Sequence, residues 1–206
     1  MSVMEHFGKP VSEETLERVA VKLRERNLEA IVVSGAGEAR DVVLQRLPAG
    51  AEVHAGKSKT LQDIGVTPEL AASGKYNYLR NVYQSMDRKT QMREIRKLIA
   101  APDFMLGSVS ALTQEGILVA ASATASQLGP YAAGAGKVIL VVGSQKIVPD
   151  LSSALARIRE YILPWESSQV RAAMGIDSFV GKILIIEREW VPGRITVVLV
   201  QQPVGI

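Results

Sequence analysis

Lys137 to Val142 (KVILVV) constrains this chain more than any other stretch. After the lysine it is apolar at every position, so a strand built from it has no face to offer to water. Such strands lie inside parallel sheets that carry helices on both faces. Glu29 to Ser34 (EAIVVS) reads as a second buried strand, and Ala51 to Ala55, Asp103 to Leu106 and Ile117 to Ala121 add shorter ones. Lys182 to Glu187 (KILIIE) and Ile195 to Val200 (ITVVLV) flank Val191-Pro192-Gly193-Arg194. Pro then Gly in the middle positions suits a type II turn, so this end is expected to form a terminal hairpin or strand pair with an antiparallel element.

Helical signals fill the intervals. Ser12 can cap a helix in which Leu16, Val19, Ala20 and Leu23 share one face, with Asn27 as its left-handed stop. A short helix follows Gly35-Ala36-Gly37, another follows Gly56-Lys57-Ser58-Lys59-Thr60, and Thr67-Pro68-Glu69 starts a third. Asp87 can cap a basic helix with Met92, Ile95 and Ile99 on one face, and Asp150 caps one that ends before Pro164. About seven strands alternating with about seven helices give an α/β fold with a mainly parallel sheet. The reading is one domain over residues 1–206, with residues 1–12 as a flexible tail.

The residue inventory removes whole chemistries. The chain has no Cys, hence no thiol nucleophile, thiolate zinc site or cysteine-ligated iron–sulfur cluster. His6 and His54 are the only histidines, too few for a histidine metal site in one chain, and His54 in its strand reads as structural. No metal site and no cofactor is expected. No apolar run approaches the roughly 18 residues of a membrane span, and Met1 to Glu14 is too polar for a signal peptide, which makes the cytoplasm the expected location.

The net charge of +3 is unevenly spread: Lys75 to Leu98 holds seven basic residues against Asp87 and Glu94. Tyr76, Tyr78 and Tyr83 are interleaved, a mixture that can serve single-stranded nucleic acid. No binding-module pattern accompanies it, and a solvated helix face or subunit contact explains the charges as well, so nucleic acid is the least supported partner. Two nucleotide motifs also fail. The third glycine of a dinucleotide fingerprint would fall at Arg40, and Gly50 to Ser58 holds five residues between its glycines where a P-loop needs four.

In open α/β sheets, ligands sit beyond the carboxyl ends of the strands. That rule selects the GKSKT turn, where Gly56, Lys57, Ser58 and Thr60 offer a close approach, a cation and hydroxyls to a carboxylate or phosphate. It also selects Ser122, Thr124, Ser126 and Gln127 after an apolar strand, and Gln145 in Gly143-Ser144-Gln145-Lys146. Glu115, if buried, is a candidate base or nucleophile. The expected ligand is a small anionic metabolite.

Several of these pieces together resemble one family. Gly56 to Gly65 (GKSKTLQDIG), Gly107 to Thr113 (GSVSALT), Ser122 to Leu128 (SATASQL), Val141 to Asp150 (VVGSQKIVPD) and Pro192 to Thr196 (PGRIT) look like the lactate-utilisation (LUD) domain family. Order and spacing carry the resemblance, from about Glu13 to the end. It implies a three-layer α/β/α fold of the NagB/RpiA/CoA-transferase type. It also implies a role as accessory component of L-lactate or other organic-acid utilisation, with iron–sulfur oxidoreductase subunits as partners and no redox centre of its own. The alternative is a free-standing small-anion-binding enzyme of the same fold. In the related CoA transferases a glutamate next to a glycine forms a thioester, which gives Glu115-Gly116 a possible counterpart by analogy. Ala125 stands where relatives are expected to carry Gly between Thr124 and Ser126.

Overall fold

The computed structural model describes residues 6–206. Its first long helix, α1 (Glu13–Glu25), begins where the Ser12 hydroxyl accepts the Thr15 N–H at 3.3 Å. Leu16, Val19, Ala20 and Leu23 are its buried face, and Asn27 ends it with a φ of 61°. Glu13 and Glu14 in the first turn and Lys22 and Arg24 in the last suit the helix dipole.

In chain order the strands are β1 (Glu29–Val33), β2 (Glu52–Ala55), β3 (Asn77–Tyr78), β4 (Phe104–Gly107), β5 (Ala111–Thr113), β6 (Leu118–Ser122), β7 (Lys137–Gly143), β8 (Ile147–Val148), β9 (Lys182–Ile186) and β10 (Ile195–Val200). Six of them form a sheet in the order β1-β10-β7-β4-β2-β3, and every neighbouring pair in it is parallel. The other four form a mixed sheet in the order β8-β5-β6-β9.

Side-chain alternation along the central strands builds the three layers. Val138, Leu140 and Val142 of β7 point to one face with Ile195, Val197 and Leu199 of β10, and there they meet α1 and the inner side of the mixed sheet through Leu112, Leu118 and Ile186. Ile139 and Val141 point the other way with Val198 and Val200. That face is covered by α2 (Ala36–Gln45), α3 (Lys59–Asp63) and α4 (Val66–Ala72), which bring Ala39, Val43, Leu61 and Leu70. Short helices α5 (Leu79–Gln84) and α6 (Met92–Ala100) follow β3. Helices α7 (Leu151–Ala156) and α8 (Leu163–Met174) follow β8, and the outer side of the mixed sheet packs Ala111, Val119 and Val148 against Ala154 and Ile158. This is the α/β/α architecture with a mainly parallel sheet.

Four details depart from the sequence reading. The turn at Pro192-Gly193 forms, with Gly193 at φ 67° and Arg194 N–H bonded to Val191 C=O, yet the strands beside it do not pair. β9 pairs antiparallel with β6 in the mixed sheet, while β10 inserts between β1 and β7. The ITVVLV strand is apolar on both faces, and only the centre of the parallel sheet buries both. Second, the helix after Asp150 does not stop at Pro164: it passes through a π-helical stretch, Arg157–Ile162, and continues as α8 with Pro164 at its start. The widened turn takes the proline, whose missing N–H costs little there. Third, the basic helix starts at Met92; Asp87 instead closes a turn by accepting from Lys89 N–H and Thr90 Oγ1. Fourth, the short strands β3, β5 and β8 carry too few residues to show a pattern.

Of the segment read as a tail, residues 1–5 lie outside the described residues. Phe7 is buried and its ring lies 6.3 Å from that of Tyr161, so this part joins the hydrophobic layer beneath the mixed sheet. Among the described residues no helix is long and apolar enough to cross a membrane.

Candidate functional site

The carboxyl ends of three adjacent strands, β7, β4 and β2, converge on one hollow of about 130 Å³. β2 delivers Gly56, Lys57 and Ser58, β4 delivers Gly107 and Ser108, and the turn after β7 delivers Lys146. Ser110 and Ala121 of the mixed-sheet region form one side, and Trp165 and Glu166 from the start of α8 form another.

Lys146 defines the floor. Its side chain is 3% exposed, and Nζ donates to Thr60 Oγ1 at 2.8 Å and to Ser108 Oγ at 2.9 Å. The Ser108 hydroxyl spends its own proton on Val141 C=O at 2.7 Å, so towards Lys146 it can only accept. No carboxylate lies within ion-pairing distance of Lys146 among the described residues. Burial lowers its pKa from 10.5 to about 7, the Arg157 guanidinium pushes the same way, and Asp63 opposes both.

Arg157 is the second buried cation, with 0% exposure. Nη1 donates to Ser110 C=O, Nε and Nη2 have no hydrogen-bond partner, and the guanidinium carbon lies 5.1 Å from the centre of the Tyr161 ring. Burial pulls its pKa down to about 10. A buried cation without a paired carboxylate is costly, and an anion in the hollow above Lys146 would lower that cost, whereas Arg157 does not line the hollow. At the rim, Lys57 faces Glu166 at 3.8 Å, a solvated pair of small energetic weight.

The backbone geometry around the floor is tight. A side chain at Gly107 would place Cβ 1.7 Å from the Tyr131 hydroxyl, which donates to Ser108 C=O at 3.3 Å. Only glycine allows Tyr131 to support the Ser108 backbone from behind.

Gly56, Lys57, Ser58, Thr60 and Gln127, all proposed from the sequence, line the hollow together. Ser58 also caps α3 by accepting Leu61 N–H at 3.3 Å. Thr124 and Ser126 are exposed and bonded within their own turn, and Ser122 accepts Ala125 N–H at 2.9 Å while facing the adjoining hollow beside Ser110. Gln145 is buried but points away from the floor, its Nε2 donating to Val204 C=O to hold the carboxyl-terminal segment. Ala125 has a φ of 65°, the left-handed conformation that suits the glycine expected there.

Glu115 does not join them. It is exposed in the turn between β5 and β6, and its C=O accepts from Arg26, which follows α1 on the amino-terminal side of the sheet. Its exposure and its place away from the hollow leave it outside the group of side chains that the carboxyl ends of the strands bring together. Arg194, from the PGRIT segment, is structural as well: it pairs with buried Glu189 and donates to the carbonyls of Tyr131, Ala132 and Ala135.

Sequence reading missed Lys146 and Ser108, which line the hollow, and the burial of Arg157 behind it. A signal existed for the first two, since Ser108 directly follows an apolar strand and Lys146 closes the short turn after another, both on the ligand-facing edge. Which side chain of Gln145 and Lys146 turns inward is decided by the 3₁₀ turn Ser144–Lys146. Arg157 lies on a helix whose pattern reads as an ordinary solvated face.

A parallel sheet between helical layers, with a small polar hollow over its carboxyl edge, defines a three-layer α/β protein. A model of the LUD domain matches residues 16–200, and the chain belongs to the LUD domain family. The crystal structure of a DUF162 family protein from Deinococcus radiodurans superposes with a TM-score of 0.55 at 16% identity, covering 93% of this chain and 99% of that one. That likeness concerns the fold. The delta subunit of eIF2B from Chaetomium thermophilum (TM-score 0.37, 18% identity, 57% of this chain and 49% of that one) is more distant. So is a D-ribose-5-phosphate isomerase in complex with phospho-erythronic acid (TM-score 0.37, 14% identity, 56% of this chain and 54% of that one). Compared with curated proteins, the sequence finds no match.

Proposed function

We propose that this chain binds a small carboxylate of the 2-hydroxy- or 2-oxo-acid class, such as lactate or pyruvate, over Lys146. It does so as the ligand-holding component of organic-acid utilisation. One observation carries the reading: the Lys146 ammonium is buried at the carboxyl ends of three parallel strands with two hydroxyls as partners and no acidic counter-ion. The hollow, at about 130 Å³, is well below the roughly 300–1,000 Å³ of sites for drug-sized molecules, which favours a ligand of a few heavy atoms. Ser108, Thr60 and the Gly56–Ser58 turn surround the cation with donors and acceptors that suit a carboxylate and a neighbouring hydroxyl or carbonyl. The sequence has no cysteine to hold an iron–sulfur cluster, so oxidation of the bound acid falls to iron–sulfur oxidoreductase partners.

The test is calorimetric titration with lactate and pyruvate from pH 6 to pH 9. An anion binds the protonated amine and lifts its pKa, so affinity is highest below about pH 7 and falls about tenfold per pH unit above it. Lys146→Met abolishes the binding. Equal heats from the variant and the wild type, or no heat from either acid, would remove this reading. Capture of the full chain from its host without any oxidoreductase would count against the partner assignment alone.

A further inference from the structure

A second, larger hollow of about 390 Å³ lies on the other side of the Gly56–Ser58 turn, and both hollows share those three residues. Its walls come from α3, α4, β3 and the start of α5, and they bring the cations Lys57 and Arg80 and the amides of Gln62 and Asn81. No Asp or Glu lines it. Arg80 forms no ion pair among the described residues, and Arg88 is close enough to act on the same Tyr83 hydroxyl.

The wall contains two buried hydroxyls without a well-formed hydrogen bond. Tyr78 is 3% exposed and its hydroxyl makes no hydrogen bond of good geometry, the Arg80 guanidinium being the polar group beside it, and the buried Thr67 hydroxyl has no hydrogen-bond partner. Buried hydroxyls are nearly always satisfied, and leaving one unpaired is costly. Arg80 without a carboxylate, Lys57 whose acidic neighbour Glu166 lies in the other hollow, buried hydroxyls and amides at the mouth form a site for a multiply charged oxyanion. The excess of basic residues from Lys75 to Leu98 extends the same positive field around it, which favours the approach of anions.

We propose that the ligand of this protein has two parts: a carboxylate head over Lys146 and a phosphate-bearing tail that crosses the Gly56–Ser58 turn and ends between Arg80 and Lys57. This extends the carboxylate reading and makes lactate or pyruvate a minimal fragment of the ligand. Lys57, standing at the turn, faces both lobes and can follow the ligand from one to the other.

The experiment uses the full chain, thermal-shift titrations at constant ionic strength, and three probes: inorganic phosphate, gluconate and 6-phosphogluconate. Phosphate is expected to bind saturably in the wild type and in Lys146→Met, and to lose at least tenfold in affinity in Arg80→Gln. Gluconate depends on Lys146 and is indifferent to Arg80→Gln. 6-Phosphogluconate binds at least tenfold tighter than gluconate, and Arg80→Gln or Tyr78→Phe reduces that advantage. Phosphate binding that is absent or insensitive to Arg80→Gln overturns the second lobe, while Lys146-dependent gluconate binding would still leave the head in place. Arg80-dependent phosphate binding with no gluconate binding supports the lobe and removes the head. Equal affinity for gluconate and 6-phosphogluconate shows that the two lobes do not act on one ligand and overturns the bridging proposal.

Discussion

Replacing Lys146 by Met is expected to make the protein more stable and to disable it. Methionine has nearly the same length and flexibility, so the volume of the floor is kept. Burial holds the lysine pKa at about 7 in the folded chain, whereas the unfolded chain titrates near 10.5. At about 1.36 kcal/mol per tenfold change in proton affinity, this depression represents about 4 kcal/mol of destabilisation at pH 7. Two hydrogen bonds, to Thr60 and Ser108, are lost at about 1 kcal/mol each, while Ser108 keeps its bond to Val141. The net gain is about 2 kcal/mol, or roughly 4–8 °C in melting temperature for a chain of this length. The pH dependence supplies the sharper check. Because the unfolded state holds the proton more tightly, the wild type gains stability as pH rises from 7 towards 10.5, and the variant lacks that gain. Urea unfolding at pH 7 and pH 9 should show the gap between them closing by about 2 kcal/mol. A variant less stable than the wild type at pH 7, with an unchanged pH slope, would refute the argument that the amine is held at a cost.

Three further predictions concern the frame. His54 is 2% exposed, neither ring nitrogen has a hydrogen-bond partner, and burial with Arg80 nearby lowers its pKa from 6.5 to about 4. Stability is therefore lost as pH falls from 6.5 towards 4, by up to about 3 kcal/mol. His54→Phe, which keeps an aromatic ring against Tyr83, should flatten that acid limb in urea titrations, and an unchanged limb would assign it to other groups. Gly107→Ala forces Tyr131 aside and should cost about 1–3 kcal/mol by chemical denaturation. Combining it with Tyr131→Phe recovers part of the loss, whereas strict additivity would mean that the two do not clash. Ala125→Gly removes about 1 kcal/mol of left-handed strain and adds a comparable entropy cost, so stability should change by less than about 0.5 kcal/mol. A loss near 1 kcal/mol or more, as in an ordinary helix, would contradict the conformation found at Ala125.

The sequence by itself determined what depends on local pattern. Strands apolar on both faces can be satisfied only inside a helix-covered parallel sheet, so KVILVV and ITVVLV announced the architecture, and Ser12 and Asp150 marked helix starts that their side chains cap. That the GKSKT turn would line a hollow at the carboxyl edge was legible because strand, glycine and hydroxyls follow in a fixed order. Pairing and side-chain direction were not legible, because they depend on contacts between distant residues. The ITVVLV strand lies at the carboxyl terminus yet pairs with the first strand and with β7, which separates it from KILIIE despite the turn that joins them. Glu115 lies in a polar turn between two apolar strands, and that turn opens to solvent at the opposite end of the fold. Lys146 and Arg157 look like ordinary surface cations in the sequence. Only the tertiary structure buries them, since β4 and β2 close over one and the π-helical stretch turns the other beneath the mixed sheet. A charge acquires functional weight by losing its solvent, and that loss is a property of the packed molecule.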